Sequence, residues 1–227
     1  MTFLDRVRSG LEELRGLPDP THVVFGAGSH RYALLPVVSR STLEAVEREH
    51  SLRFPEDYRR FMLELGGGGA GPSYGLLPFG MVDDGYGHAP WQTWRLRPGE
   101  PFPHREEWND VSILEIGAPS PGDFEDDAAY QAAYDEWRSS DAAYEQQNAY
   151  WEAVGTRRGC IPICHHGCAL RDWLVVSGPE AGTVWHDASA DTMGIAPIAG
   201  PDRARTTFAD WYLDWLEGAL AALRAGR

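Results

Sequence analysis

The chain has 227 residues, 43% of them hydrophobic and 11% aromatic, enough large apolar side chains to bury a core and to exclude global disorder. Acids outnumber bases 34 to 20, every base being arginine, for a net charge of −14; this excludes a role built on nucleic-acid phosphates or anionic membranes and favours basic partners. No apolar run reaches the length of a membrane span, the N-terminal segment lacks a signal-peptide core, and three clustered cysteines are not a secreted disulfide framework, so a cytoplasmic protein is expected.

Leu4, Val7, Leu11 and Leu14 recur at three and four residues and predict an amphipathic helix ending near Gly16 and Pro18. Residues 21–38 read as a small hairpin or a covering segment. Ser41 with Glu44 three positions on has the capping-box pattern and opens a helix to about His50. A second helix starts at Pro55, buries Tyr58, Phe61, Met62 and Leu65, and stops at the glycines of 66–69. Short strands are predicted over 75–79, 92–96 and 111–116, with a loop over 97–108.

Residues 120–155 differ in composition. They hold nine acids against one arginine, a net charge of −8. Asp127-Ala-Ala-Tyr130 returns as Asp141-Ala-Ala-Tyr144, and Tyr130, Trp137, Tyr144 and Trp151 fall every seven residues. One long helix or a broken helical pair fits, with an aromatic stripe that either packs internally or docks a partner. Strands resume over 161–164, 173–177 and 183–186, with 193–198 as a further candidate. Phe208, Trp211, Tyr212, Trp215, Leu216, Ala219, Leu220 and Leu223 mark a closing helix capped by Thr207 with Asp210. Helices, then mainly antiparallel strands, then a helix indicate an α+β fold.

The glycines at 66–71 satisfy the G-x-G-x-x-G pattern in letters only. A helix precedes them where a strand is needed, and the chain has no lysine for a phosphate loop. Cys160, Cys164, His165, His166 and Cys168, with His186 downstream, are the right donors for a metal, but the spacing is not that of paired zinc knuckles. Structural cysteines are the stronger reading, and no metal or cofactor is expected. Cys164 and His165 are adjacent, so on a strand they point to opposite faces and do not pair as nucleophile and base. Asp83 and Asp84 lack the spaced ladder of a calcium loop. Acids beside aromatics instead suit a protein-binding rim. The expected partner contacts are Asp83, Asp84, Tyr86, Trp91 and Trp94 in this loop, and Asp126, Asp127, Tyr130 and Trp137 in the acidic segment.

Leu43-Glu44-Ala45-Val46-Glu47, then Phe54-Pro55-Glu56-Asp57-Tyr58-Arg59-Arg60-Phe61-Met62, then Gly66-Gly67, resembles the signature of the SUKH superfamily. Phe54 stands where leucine is usual, and the asparagine before the glycines is absent. Ile161-Pro162-Ile163, Trp173-Leu174-Val175-Val176, Gly182-Thr183-Val184-Trp185 and Phe208-x-x-Trp211-Tyr212 match its later blocks in order. The resemblance implies helices packed on a curved, mostly antiparallel sheet in one domain over 1–227. Its core would span 41–220, with 1–40 as helix and cover and 120–155 as an acidic helical insertion. It further implies a protein-binding module without catalytic residues, either a bacterial toxin-immunity protein or a regulatory scaffold. The expected function is neutralisation of a polymorphic toxin, such as a basic nuclease, by direct binding; the contrasting reading is a metal- or thiol-dependent enzyme centred on Cys160, Cys164 and Cys168 with His165, His166 and His186.

Overall fold

Thr2 opens the first helix. Its hydroxyl accepts from the backbone N–H of Asp5, and the Asp5 carboxylate accepts from the N–H of Thr2, so two otherwise orphaned donors are satisfied reciprocally. Helix α1 (Phe3–Gly16) buries the predicted Leu4, Val7, Leu11 and Leu14. The computed structural model describes residues 1–18, 23–83 and 87–225.

Two further helices follow a short turn of helix, α2 (Ala27–His30): α3 (Arg40–Glu49) and α4 (Glu56–Glu64). The cap of α3 is Ser39 rather than Ser41. Ser39 is the last extended residue of the preceding segment, and its hydroxyl accepts from Thr42 N at 3.0 Å. Glu44 is thereby released from capping and reaches across to Arg59 Nη2 at 3.3 Å. Pro55 precedes α4 as the sequence predicts, and Tyr58, Phe61 and Met62 are buried, while Leu65 is half-buried at the helix end.

These side chains pack against the closing helix, α7 (Phe208–Ala225). The carboxylate of Asp57 on α4 accepts from Ala209 N at 2.8 Å and so helps cap α7, alongside Thr207, whose hydroxyl accepts from Asp210 N. Helix α1 lies along α7 at close range. A Cβ at Gly10 would stand 2.6 Å from Leu216 Cδ2, so glycine is what permits the approach. Ion pairs Arg6–Glu217 and Arg224–Glu13 tie the two helices together.

The described part of 21–38 forms no hairpin; after α2 it runs extended along the glycine-rich segment. Leu35 N donates to Gly68 O, Gly67 N to Pro36 O and Ala70 N to Ala33 O. On its other side, Gly69 and Leu76 exchange two backbone hydrogen bonds. The glycines therefore do more than stop α4: they form a ribbon held between two neighbouring segments. Gly69 has φ +102°, and a Cβ there would lie 2.5 Å from the carbonyl oxygen of Ala33. Of the strand predicted over 75–79, Leu76 bridges onward to Cys164 and Leu77 N donates to Ile163 O, which attaches the ribbon to the main sheet.

That sheet has four antiparallel strands in sequence order: β3 (Cys160–Gly167), β4 (Leu170–Val175), β5 (Val184–Asp187) and β6 (Ile195–Pro197). A separate hairpin pairs β1 (Met81–Asp83) with β2 (His88–Pro90). The strands predicted over 92–96 and 111–116 are instead 3₁₀ turns at Trp91–Trp94 and Val111–Glu115. Trp91 and Trp94 are one 3₁₀ turn apart and pack on neighbouring parts of the core. In the second segment, the Asp110 carboxylate accepts from Ser112 N and Oγ and bends the chain locally.

The acidic segment is a broken helical pair, α5 (Asp127–Arg138) and α6 (Asp141–Val154). Two serines make the break. Ser139 Oγ donates back to Asp135 O, and Ser140 Oγ accepts from Ala143 N as the cap of α6. The break rotates the period-seven stripe out of register. Tyr144 is exposed, Trp151 is half-buried, and Tyr150 takes the fully buried place, tilted on Trp108 with its hydroxyl on Asn109 Oδ1. Helix α5 buries no residue, its aromatic ladder from Phe124 through Tyr130 and Tyr134 to Trp137 remaining half-buried.

Candidate functional site

Two bulges in β3 decide what each face of the sheet displays. The register shifts once between Pro162 and Cys164 and again between His165 and Gly167. As a result Cys164, Asp172 and His186 stand opposite one another across β3, β4 and β5, and so share one face. His165, Arg171 and Asp187 form the next row, on the opposite face, with Trp173 two residues from Arg171.

The Arg171 face opens into a cleft of about 730 Å³, the size of a ligand pocket or of a receptacle for partner side chains. Asn148, Trp151 and Glu152 of α6 form one wall, and Thr93, Trp94 and Arg95 another. The guanidinium of Arg171 lies 4.5 Å over the ring of Trp94 and donates to the carbonyls of Ala169 and Asp83. Asp187, buried at the base, accepts from Trp173 Nε1 at 3.2 Å and from Ser189 N at 3.0 Å. Burial pushes the Asp187 carboxyl above its usual range and lowers the Arg171 guanidinium. Glu152 at the rim holds Arg157 at 2.6 Å and Arg97 at 3.3 Å.

The predicted contact residues are distributed unevenly around this cleft. Trp94 is in its wall. Trp91 is not available to a partner: it is buried against Phe54 and Phe79, with its Nε1 donating to Met81 O. Asp83 is half-buried, 3.7 Å from His165 Nδ1, at a neighbouring cavity of about 260 Å³ that also contains His88 and Tyr74. Asp84 and Tyr86 lie outside the described residues. Asp126 caps α5 by accepting from Ala129 N at 2.8 Å, and Asp127 is in its first turn; both are exposed. Tyr130 and Trp137 are half-buried in the α5 ladder.

Sequence reasoning missed Arg171, Trp173 and Asp187. Their signal was the alternation Arg171-Asp172-Trp173, which places a cation and a tryptophan on one strand face and an acid on the other. Neither buried cysteine is an activated nucleophile. Cys160 and Cys164 are buried, their thiols donate to the carbonyls of Thr156 and Pro72, and burial pushes both well above the ordinary thiol range. Cys168 is exposed in the tight turn between β3 and β4.

Among the described residues no helix is long and apolar enough to cross a membrane. No curated protein and no solved structure matched the chain. The model of the SMI1/KNR4 family (SUKH-1) matches residues 37–199, which runs from just before α3 through the acidic helices to the end of the sheet and leaves the α1–α7 pair outside. With well over half of its length matched in this way, the chain belongs to the SMI1/KNR4 (SUKH-1) family.

Proposed function

We propose that this chain is a non-catalytic binding module, an immunity protein that neutralises a polymorphic toxin of basic surface, such as a nuclease, by direct contact in the cytoplasm. The observation that carries the reading is the state of the acids in the insertion. All nine acidic side chains of residues 120–155 are exposed, and among the described residues only Glu152 is in an ion pair. An uncompensated field of this kind accelerates encounter with a cationic surface and imitates the charge of a nucleic-acid substrate. The cleft beside it supplies what charge alone does not: tryptophan and arginine walls of the kind that dominate binding energy at protein interfaces.

The direct test is co-expression with the basic nuclease toxin domain encoded by the same strain. Cells carrying both are expected to survive, and the two proteins are expected to co-elute as a stable complex. Death of the doubly expressing cells, with no complex on gel filtration at low or moderate salt, would contradict the proposal.

A further inference from the structure

The face of the sheet turned away from the cleft carries a second cluster. Cys164, Asp172 and His186 are cross-strand neighbours, and His166, the extra residue of the second β3 bulge, joins them. Cys164 and Asp172 are buried, and the side chain of Asp172 is only 4% exposed. The ligand atoms of Cys164, His166 and Asp172 all lie within 4.8 Å of one another.

Outer partners hold these groups in place. His166 Nδ1 is engaged by the hydroxyl of Ser73 at 2.7 Å, which fixes the ring. Its Nε2 is buried and faces Asp172 Oδ2 at 2.9 Å. The carboxylate of Asp172 is itself held at both oxygens, by His186 Nδ1 at 2.8 Å and by Trp211 Nε1 of α7 at 2.9 Å. A fixed imidazole, a carboxylate held at both oxygens and a buried thiol, converging on one point, form the arrangement in which outer partners orient metal ligands.

We propose that Cys164 Sγ, His166 Nε2 and Asp172 bind a zinc-class divalent cation, with Ser73, His186 and Trp211 orienting the ligands. Thiolate, imidazole and carboxylate together suit zinc rather than magnesium or calcium, which take oxygen. Ordinary zinc–ligand bond lengths imply donor separations of about 3.5 Å in a tetrahedral site, so His166 Nε2 and Asp172 Oδ2 would part slightly from 2.9 Å while the widest donor spacing, at most 4.8 Å, would close. The thiol must lose its proton to solvent as the sulfur–metal bond forms, giving up its hydrogen bond to Pro72 O. Burial alone disfavours that ionisation, but a dication beside the sulfur reverses it. One cation then neutralises the two buried anions, Cys164 and Asp172. Through Trp211, the bound ion would also pin α7 to the sheet.

The test is titration of protein purified without a metal-affinity tag, using cobalt(II) as a spectroscopic probe and zinc in competition. One equivalent of cobalt(II) is expected to give a thiolate charge-transfer band, with about one proton released per ion, and zinc is expected to abolish the band. Cys168→Ser should leave the band unchanged, Cys164→Ser should remove it, and His186→Gln should weaken uptake about 10–100-fold. A wild-type protein that develops no band and retains no stoichiometric metal after gel filtration would overturn the proposal. So would a band that survives Cys164→Ser or is lost in Cys168→Ser. The wild-type and Cys168→Ser measurements decide the matter even if Cys164→Ser does not fold.

Discussion

Phe61→Ala is expected to destabilise the protein by about 3–5 kcal/mol. Phe61 is fully buried at the junction of three helices. Its ring centroid is 4.8 Å from that of Tyr212 and 5.5 Å from that of Phe208, both on α7, and 6.3 Å from that of Phe3 on α1. Alanine removes the ring and leaves a cavity whose other walls are large and well anchored: the Tyr212 hydroxyl donates to Ala70 O in the glycine ribbon, and Asp57 holds the N-terminus of α7. Such walls relax little, which places the cost toward the upper part of the range. Chemical denaturation followed by tryptophan fluorescence measures it; a loss below 1 kcal/mol would mean that this junction is not the centre of the helical layer.

Arg59→Ala is expected to cost a comparable amount, about 3–5 kcal/mol, for a different physical reason. Arg59 and Glu47 are both nearly buried, with side chains 8% and 10% exposed, and join α4 to α3 through an Nε–Oε1 contact of 3.2 Å. The same Glu47 oxygen accepts from Phe54 N at 3.1 Å, so the carboxylate also fastens the link between the helices. Removing the arginine leaves a buried carboxylate without its counter-charge. The double variant Glu47→Leu with Arg59→Met removes both charges and is expected to lose markedly less stability than Arg59→Ala alone. Equal losses in single and double variants would show that packing, rather than an uncompensated charge, sets the cost.

The helical layer was legible in the sequence because its spacing is unambiguous. Leu4, Val7, Leu11 and Leu14, and the run from Phe208 to Leu223, can bury themselves only on one side of a helix. The four strands of the main sheet were legible for the same reason, from short apolar runs separated by turns. What failed depended on local hydrogen bonds or on register. Ser39 and Ser41 are equally good caps by residue type, and the extended backbone before Ser39 chooses between them. The stripe of Tyr130, Trp137, Tyr144 and Trp151 reads as a continuous face until two serine hydroxyls break the helix and hand the buried position to Tyr150.

The site was less legible than the fold. Trp91 and Trp94 read alike beside the same acidic loop, yet Trp91 is buried against Phe54 and Phe79 while Trp94, one turn on, is half-buried in the wall of the cleft. Asp172, between an arginine and a tryptophan, carries no spacing pattern that marks it as a site residue. It is buried because strand alternation points it at α7, where Trp211 receives it beside His186 of the neighbouring strand β5. The apposition of Cys164 with Asp172, and the approach of His166, depend on two bulges in β3 that no spacing rule reveals. The prediction that Cys164 and His165 would face apart agrees with their places in different cross-strand rows.

The central claim, that the exposed acids of residues 120–155 recruit a basic protein, is tested most directly by charge reversal on α5. Asp126→Arg, Asp127→Arg, Asp135→Arg and Glu136→Arg should be combined and the association rate with the basic toxin domain measured over a range of salt concentrations. All four side chains are exposed, and none is in an ion pair among the described residues; Asp126 caps α5 and Asp135 accepts from Gln131, so helix content is checked alongside by circular dichroism. The account predicts a fall in association rate of about tenfold or more at low salt, with a much flatter salt dependence, in a variant whose helix content is preserved. An unchanged rate and an unchanged salt dependence in that variant would contradict it.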